Sequence, residues 1–182
     1  MKNVLLLGDS IRMLYQPKVK ALLKGRANVF GPAENGRWSD YTLNSLRFWL
    51  PQMPDPDIVH WNNGFWDIGD NYQEGTSYTP IDEYERDMGR IVKVLRQLIS
   101  PDVKIIAALT TPWLAGPLSE VERFNEAFRR VAEREGIVVN DLYTPLHDRI
   151  ADLIAPDKIH LNAEGADIAA KLVADAIAPY LD

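Results

Sequence analysis

The chain has 182 residues, with 20 Lys plus Arg against 26 Asp plus Glu and a net charge of -6 at pH 7. That length suits one domain over residues 1–182 with enough chain to bury a sizeable core, and the acidic balance disfavours nucleic acid as a partner. With no cysteine, a disulfide framework, a thiol nucleophile and a thiolate metal site are excluded.

The first element is the apolar run Val4-Leu5-Leu6-Leu7, which stops abruptly at Gly8-Asp9-Ser10. A short apolar run bounded by glycine reads as a buried strand. It is too short for a secretory h-region, and no apolar segment of membrane length occurs elsewhere. A soluble, cytoplasmic protein with no membrane partner is therefore expected. In open α/β sheets ligands bind beyond the carboxyl ends of the strands. Ser10 stands at such an end, either as a nucleophile or, with Asp9, as the cap of the next helix.

Residues 11–16 read as a short helical turn, and Pro17 suits the first position of a separate helix over residues 17–24, ended by Gly25. A second strand at Asn28-Val29-Phe30 breaks at Gly31-Pro32, and a polar loop then leads into a helix over residues 41–50. The third strand covers residues 57–61, followed by the turn signal Asn62-Asn63-Gly64 and a long loop to about Pro80 that holds Trp66, Asp67, Asp70, Asn71 and Tyr72. Loops of that length in a compact domain are usually functional or disordered, and the aromatic content here favours a packed, functional one.

Thr79-Pro80 opens a helix with an apolar stripe from Tyr84 to Ile99. A fourth strand spans residues 103–109. Ser119 to Glu122 has the form of a capping box for a helix reaching Gly136, and a fifth strand follows at Ile137-Val138-Val139. A shorter helix runs from near Pro145 to Leu153, and Asn162 caps the last one. Strand and helix alternate throughout. This predicts an α/β fold, a three-layer α/β/α sandwich with a five-stranded parallel sheet, and by analogy with small doubly wound folds the strand order 2-1-3-4-5.

A serine hydroxyl needs a base to take its proton, and the base needs an acid to hold it. The chain has 3 histidines. His60 lies inside an apolar strand and reads as core, whereas His147, beside Asp148 and Arg149, reads as part of a solvated face. His160 differs, because Asp157 precedes it by three residues in a loop just before a capped helix. A tight turn can fold Asp157 back onto Nδ1 and leave Nε2 free to face a hydroxyl.

Gly8-Asp9-Ser10 near the N-terminus and Asp157-x-x-His160 near the C-terminus together resemble the SGNH hydrolases, also called GDSL esterases and lipases. The resemblance implies a flavodoxin-like sheet and makes Ser10, Asp157 and His160 a catalytic triad. It also implies an oxyanion hole made by the backbone N–H of Ser10, the N–H of Gly36 in Glu34-Asn35-Gly36-Arg37-Trp38, and an asparagine side chain. The third block departs from the usual Gly-x-Asn-Asp, since Gly64-Phe65-Trp66-Asp67 places tryptophan at the asparagine. A subgroup of the family has Asn-x-Gly-x-x-Asp, which makes Asn62 the donor, with strand alternation in support. Asn63 is the second choice.

Substrate contacts are expected from Asp9, Trp38, Trp66 and Trp113, with Trp61 and Tyr72 nearby and Arg12 and Arg37 as candidates for an anionic substituent. The chemistry implies no cofactor. The sequence has no phosphate-cradling glycine loop and no histidine cluster at metal-ligand spacing. Without a long apolar insertion to act as a lid, a short acyl group, acetyl first, on a carbohydrate is the expected ester. A thioesterase, a lysophospholipase and a catalytically silent carbohydrate-binding relative are the alternatives.

Overall fold

The computed structural model describes residues 1–70 and 73–181. Five strands, β1 (Lys2–Leu7), β2 (Ala27–Phe30), β3 (Ile58–Trp61), β4 (Lys104–Ala108) and β5 (Val138–Asn140), form one sheet in the order β2-β1-β3-β4-β5. Every pairing is parallel, and such sheets need both faces covered. That explains why the inner strands are continuous apolar runs, with Val4 to Leu7 and Ile58 to Trp61 fully buried.

Helices α1 (Ser10–Leu22) and α8 (Ala163–Ile177) pack together on one face, while α2 (Ser39–Trp49), α4 (Ile81–Leu98) and α5 (Leu118–Glu135) cover the other. The short α3 (Phe65–Ile68) follows β3, and α6 (Thr144–His147) and α7 (Ile150–Leu153) lie between β5 and α8. The three-layer arrangement and the strand order agree with the sequence reading. Among the described residues, no helix is long and apolar enough to cross a membrane.

Several local readings are corrected. Pro17 does not begin a second helix but lies within α1, which runs unbroken from Ser10 to Leu22. A proline there removes the N–H that would bond the Met13 carbonyl, yet both residues are exposed, so water can satisfy that carbonyl. Neither Thr79 nor Ser119 caps a helix: α4 and α5 follow Pro80 and Pro117, with no side-chain cap. Proline's fixed φ sets those entries in place of a hydroxyl. Asn162 does cap α8, accepting the Gly165 N–H at 3.0 Å, and Gly136 ends α5 in the left-handed conformation at φ 63°. The segment read as one helix up to Leu153 is two single turns.

Candidate active site

The carboxyl ends of β1 and β3 bring the chemical groups together. At the end of β1, Gly8 adopts φ 147° and lies against the Asn62 side chain, so a Cβ there would collide with the amide. The turn that follows delivers Ser10 as the first residue of α1 and leaves it half-buried. Asp9 is the N-cap, its Oδ1 accepting the Ile11 N–H at 2.9 Å. The cap and the hydroxyl are thus adjacent residues with separate tasks.

His160 comes from the loop before α8. Lys158 takes φ 66°, a left-handed turn that folds Asp157 back over its own chain. Asp157 Oδ1 accepts the N–H groups of Ile159 and His160, each at 2.9 Å, and Oδ2 lies 2.7 Å from His160 Nδ1. These hydrogen bonds, the two backbone ones foremost, hold the Asp157 carboxyl down at about 2. A carboxylate only accepts, so Nδ1 carries the proton and Nε2 is the acceptor. The Ser10 Oγ lies 2.8 Å from that Nε2. The loop is itself tied to the end of β4 by the Leu114 N–H on the Lys158 carbonyl at 2.7 Å.

The loop after β2 packs against the same turn. Gly36 donates its N–H to the Gly8 carbonyl at 2.9 Å, and Arg12 reaches the carbonyls of Pro32 and Glu34 at 2.9 and 2.5 Å. Arg12 is only 2 % exposed. It is a buried brace between α1 and this loop, not a solvated arginine and not available to a substrate. Asp67 fastens the far end of the loop, accepting the Ser39 N–H at 3.0 and 3.1 Å and the Ser39 hydroxyl at 2.7 Å. Burial pushes the Asp67 carboxyl up to about 6 against those hydrogen bonds. Neither Arg12 nor Asp67 was legible as a brace, because the partners that tie each to another element, the Pro32 and Glu34 carbonyls and Ser39, lie far away in sequence.

The groups expected to form the oxyanion hole are not all brought to Ser10. The Gly36 N–H is directed at Gly8, as above. Asn62 lies beneath the β1 turn at 3 % exposure, its Oδ1 accepting from Tyr15 Oη at 3.1 Å and its Nδ2 facing Asp9 Oδ1 at 3.4 Å. The amide of Asn63, also buried, lies between Trp61 Nε1 at 2.6 Å and the Arg37 carbonyl at 2.7 Å. Asp9 is fully buried, which removes it from the substrate-contacting set, and burial raises its carboxyl above the ordinary range.

Trp38 and Trp66 are partly exposed neighbours, with ring centroids 5.9 Å apart, and Tyr78 lies 5.3 Å from Trp38. Trp113 is stacked on Phe65 at 5.3 Å and forms part of the wall of an open cleft of about 980 Å³. Ile159, next to His160, and Ile68, Gly116 and Asp82 also line that cleft. Trp61 is core, packed on Phe128. Asn71 and Tyr72 lie outside the described residues. His60 is buried, with Nε2 3.0 Å from Asn140 Nδ2, and burial lowers its imidazole to about 3. His147 stacks on Tyr143, away from the triad geometry.

Residues 6–168 match the sequence profile of the GDSL-like lipase/acylhydrolase family. The chain belongs to that family. Its members hydrolyse esters, and the family is the SGNH group that the Gly8-Asp9-Ser10 and Asp157-x-x-His160 motifs resemble. No curated protein matches at the sequence level. Among solved structures, an acetyl xylan esterase superposes with a TM-score of 0.81 at 17% identity, covering 96% of this chain and 99% of that one. The acetylxylan esterase of Geobacillus stearothermophilus gives 0.77 at 17%, covering 99% and 94%. A lipase/acylhydrolase of Enterococcus faecalis gives 0.77 at 15%, covering 100% and 98%. At these identities the neighbours speak for the GDSL fold.

Proposed function

We propose that this GDSL-family acylhydrolase cleaves short-chain esters, acetyl first, carried on a carbohydrate. Ser10 is the nucleophile, His160 the general base and acid, and Asp157 the residue that holds the imidazole. The observation that carries the reading is the relay in which Asp157 Oδ2, His160 Nδ1, His160 Nε2 and Ser10 Oγ follow one another at 2.7 and 2.8 Å. In the first half-reaction Ser10 Oγ attacks the ester carbonyl carbon while its proton passes to His160 Nε2. The tetrahedral intermediate then collapses, and His160 returns the proton to the departing alcohol. Water, deprotonated by the same Nε2, then attacks the acyl carbon, the bond to Ser10 Oγ breaks, and His160 returns the proton to Oγ as the acid leaves.

Asp157 stabilises the imidazolium that forms in each half-reaction. Because its carboxyl is held far below neutral pH, it does not take the proton itself.

Three features favour a small acyl group on a sugar. Trp38, Trp66 and Tyr78 present faces and edges of the kind on which pyranose rings stack. The cleft beside Ile159 has room for an alcohol portion much larger than an acetyl group. Two of the structural neighbours named above are acetyl xylan esterases, which suggests the acetylated carbohydrate to try first.

The test is hydrolysis of nitrophenyl esters of graded acyl length, and of acetylated xylo-oligosaccharides, by wild type and Ser10→Ala. Rates should be highest for acetyl, and Ser10→Ala should be inactive throughout. Equal rates for the two proteins would overturn the nucleophile, and a maximum at long acyl chains would overturn the substrate class.

A further inference from the structure

Between β2 and α2, residues 36–39 turn four consecutive peptide N–H groups toward or away from the β1 end, and three of them are committed. Gly36 donates to the Gly8 carbonyl at 2.9 Å, Arg37 to Asn35 Oδ1 at 2.8 Å, and Ser39 to Asp67 at 3.0 Å. Among the described residues, the Trp38 N–H has no protein acceptor. Its orientation follows from the peptide that contains it. Arg37 adopts φ 52°, and its carbonyl accepts a hydrogen bond from Asn63 Nδ2 at 2.7 Å.

Asn63 is fully buried. Its amide cannot be flipped, because Trp61 Nε1 only donates and holds Oδ1 at 2.6 Å. In a trans peptide the carbonyl and the N–H point in opposite directions. With the Arg37 carbonyl drawn inward onto Asn63, the Trp38 N–H points the opposite way, from a loop whose Gly36 is bonded to the turn that delivers Ser10.

We propose that the Trp38 N–H joins the Ser10 N–H as an oxyanion donor, and that Asn63 is a positioning residue that turns the Arg37–Trp38 peptide to present it. The proposal rests on the hydrolase reading of Ser10. Ser10 is the first residue of α1, where backbone N–H groups lack intrahelical partners. As Ser10 attacks, the carbonyl π pair moves onto oxygen, and two fixed N–H dipoles receive that charge with no proton exchanged. The assignment also accounts for tryptophan at position 66. An asparagine need not touch the oxyanion if another, at position 63, aims a peptide at it.

Trp38→indole-3-lactic acid, introduced in the full-length chain, exchanges the N–H for an ester oxygen and keeps the side chain. On nitrophenyl acetate this replacement should lower kcat by about 10²–10³-fold with KM within about threefold of wild type. The affinity for a trifluoromethyl ketone, whose adduct with Ser10 carries the oxyanion, should fall by the same factor. Asn63→Asp, which sets a carboxylate oxygen against the Arg37 carbonyl, should show the same split of kcat from KM, with a loss of at least about tenfold.

If Asn63→Asp does not fold, the Trp38 replacement decides alone. Retention of kcat and ketone affinity within about threefold in that replacement, with Ser10→Ala inactive, would overturn this assignment and leave the hydrolase standing. An active Ser10→Ala would remove both.

Discussion

Asp67 accepts both the backbone N–H and the hydroxyl of Ser39, a residue 28 positions away, and so pins the first turn of α2 to the segment after β3. The carboxylate is fully buried, and desolvation outweighs its hydrogen bonds to put the titration near pH 6. Asp67→Ala leaves two Ser39 donors without an acceptor and should destabilise the fold by about 1–3 kcal/mol. A urea titration at pH 7.5 checks the value, and an unchanged midpoint would contradict the clamp.

The same carboxyl makes a signed statement about pH. Its folded value of about 6 lies above the ordinary carboxylate value, so its contribution is fully present at low pH and is lost as pH rises through 6. Between pH 7 and pH 5 the native state gains about 1 kcal/mol from this proton. Asp67→Asn removes the gain, so its stability should fall more steeply than that of wild type over that interval. A shallower fall would refute the assignment.

Gly36 has no space for a side chain. A Cβ there would lie 2.7 Å from the Gly8 carbonyl oxygen and 2.9 Å from its carbon, and both atoms are backbone that no rotamer change can move. Gly36→Ala should therefore cost about 1–3 kcal/mol by overpacking. It should also lower kcat, because the strain falls on the turn carrying Ser10. Thermal unfolding and nitrophenyl acetate hydrolysis measure the two effects. Loss of stability with full activity would place the Gly36 contact outside the site.

What could be read in advance was mostly what short stretches decide. The apolar runs of β1 and β3 announce buried strands without help from the rest of the chain, and strict alternation with helices leaves few sheet orders. Asp157 and His160 were legible for the same reason: three residues and one left-handed turn complete their geometry. The braces around them were not. Arg12 stood as a candidate for an anionic substituent until its partners in the Pro32 to Glu34 segment were known, and Asn63 looked like turn punctuation until Trp61 and Arg37 closed on its amide. Each depends on a side chain meeting a carbonyl of a distant loop, which no local pattern encodes. Pro17 was misleading in a different way, since packing carried α1 through a residue whose local preference is to start a helix.

That override of local preference has a measurable cost. Pro17 sits in the interior of α1, on its exposed side, and withholds a hydrogen bond from Met13. An interior proline costs about 3 kcal/mol in a helix, of which its stiffening of the unfolded chain returns up to about 1. Pro17→Ala should raise stability by about 1–2 kcal/mol and leave nitrophenyl acetate hydrolysis unchanged. Thermal melts check the first expectation, and a lowered melting temperature would mean that the proline shapes the docking of α1 on α8.

Asp157→Asn should lower the rate without unfolding the site. The carboxylate 2.7 Å from Nδ1 only accepts, so it holds the tautomer in which Nε2 accepts from Ser10, whereas an amide can donate to Nδ1 and leave the proton on Nε2. The kcat for nitrophenyl acetate should drop by roughly 10²–10⁴-fold as the tautomer is lost. Steady-state rates and thermal melts of the variant test this, and a kcat within about threefold of wild type would contradict the role given to Asp157.

His60 should govern how the fold responds to acid. It is buried on β3 against Tyr15 and Asn140, with its titration lowered to about 3 by desolvation. An unfolded imidazole takes its proton near ~6.5. The unfolded chain therefore binds more protons through the whole interval between those values, and stability present above it is lost as pH falls. From pH 7 to pH 5 the loss from this residue is about 2 kcal/mol, opposite in sign to the gain from Asp67 and larger. His60→Gln removes the titration and retains an acceptor for Asn140, so its stability should change less between pH 7 and pH 5 than that of wild type. Urea midpoints at the two pH values provide the comparison. If His60→Gln loses as much stability as wild type on acidification, the acid lability belongs to another group.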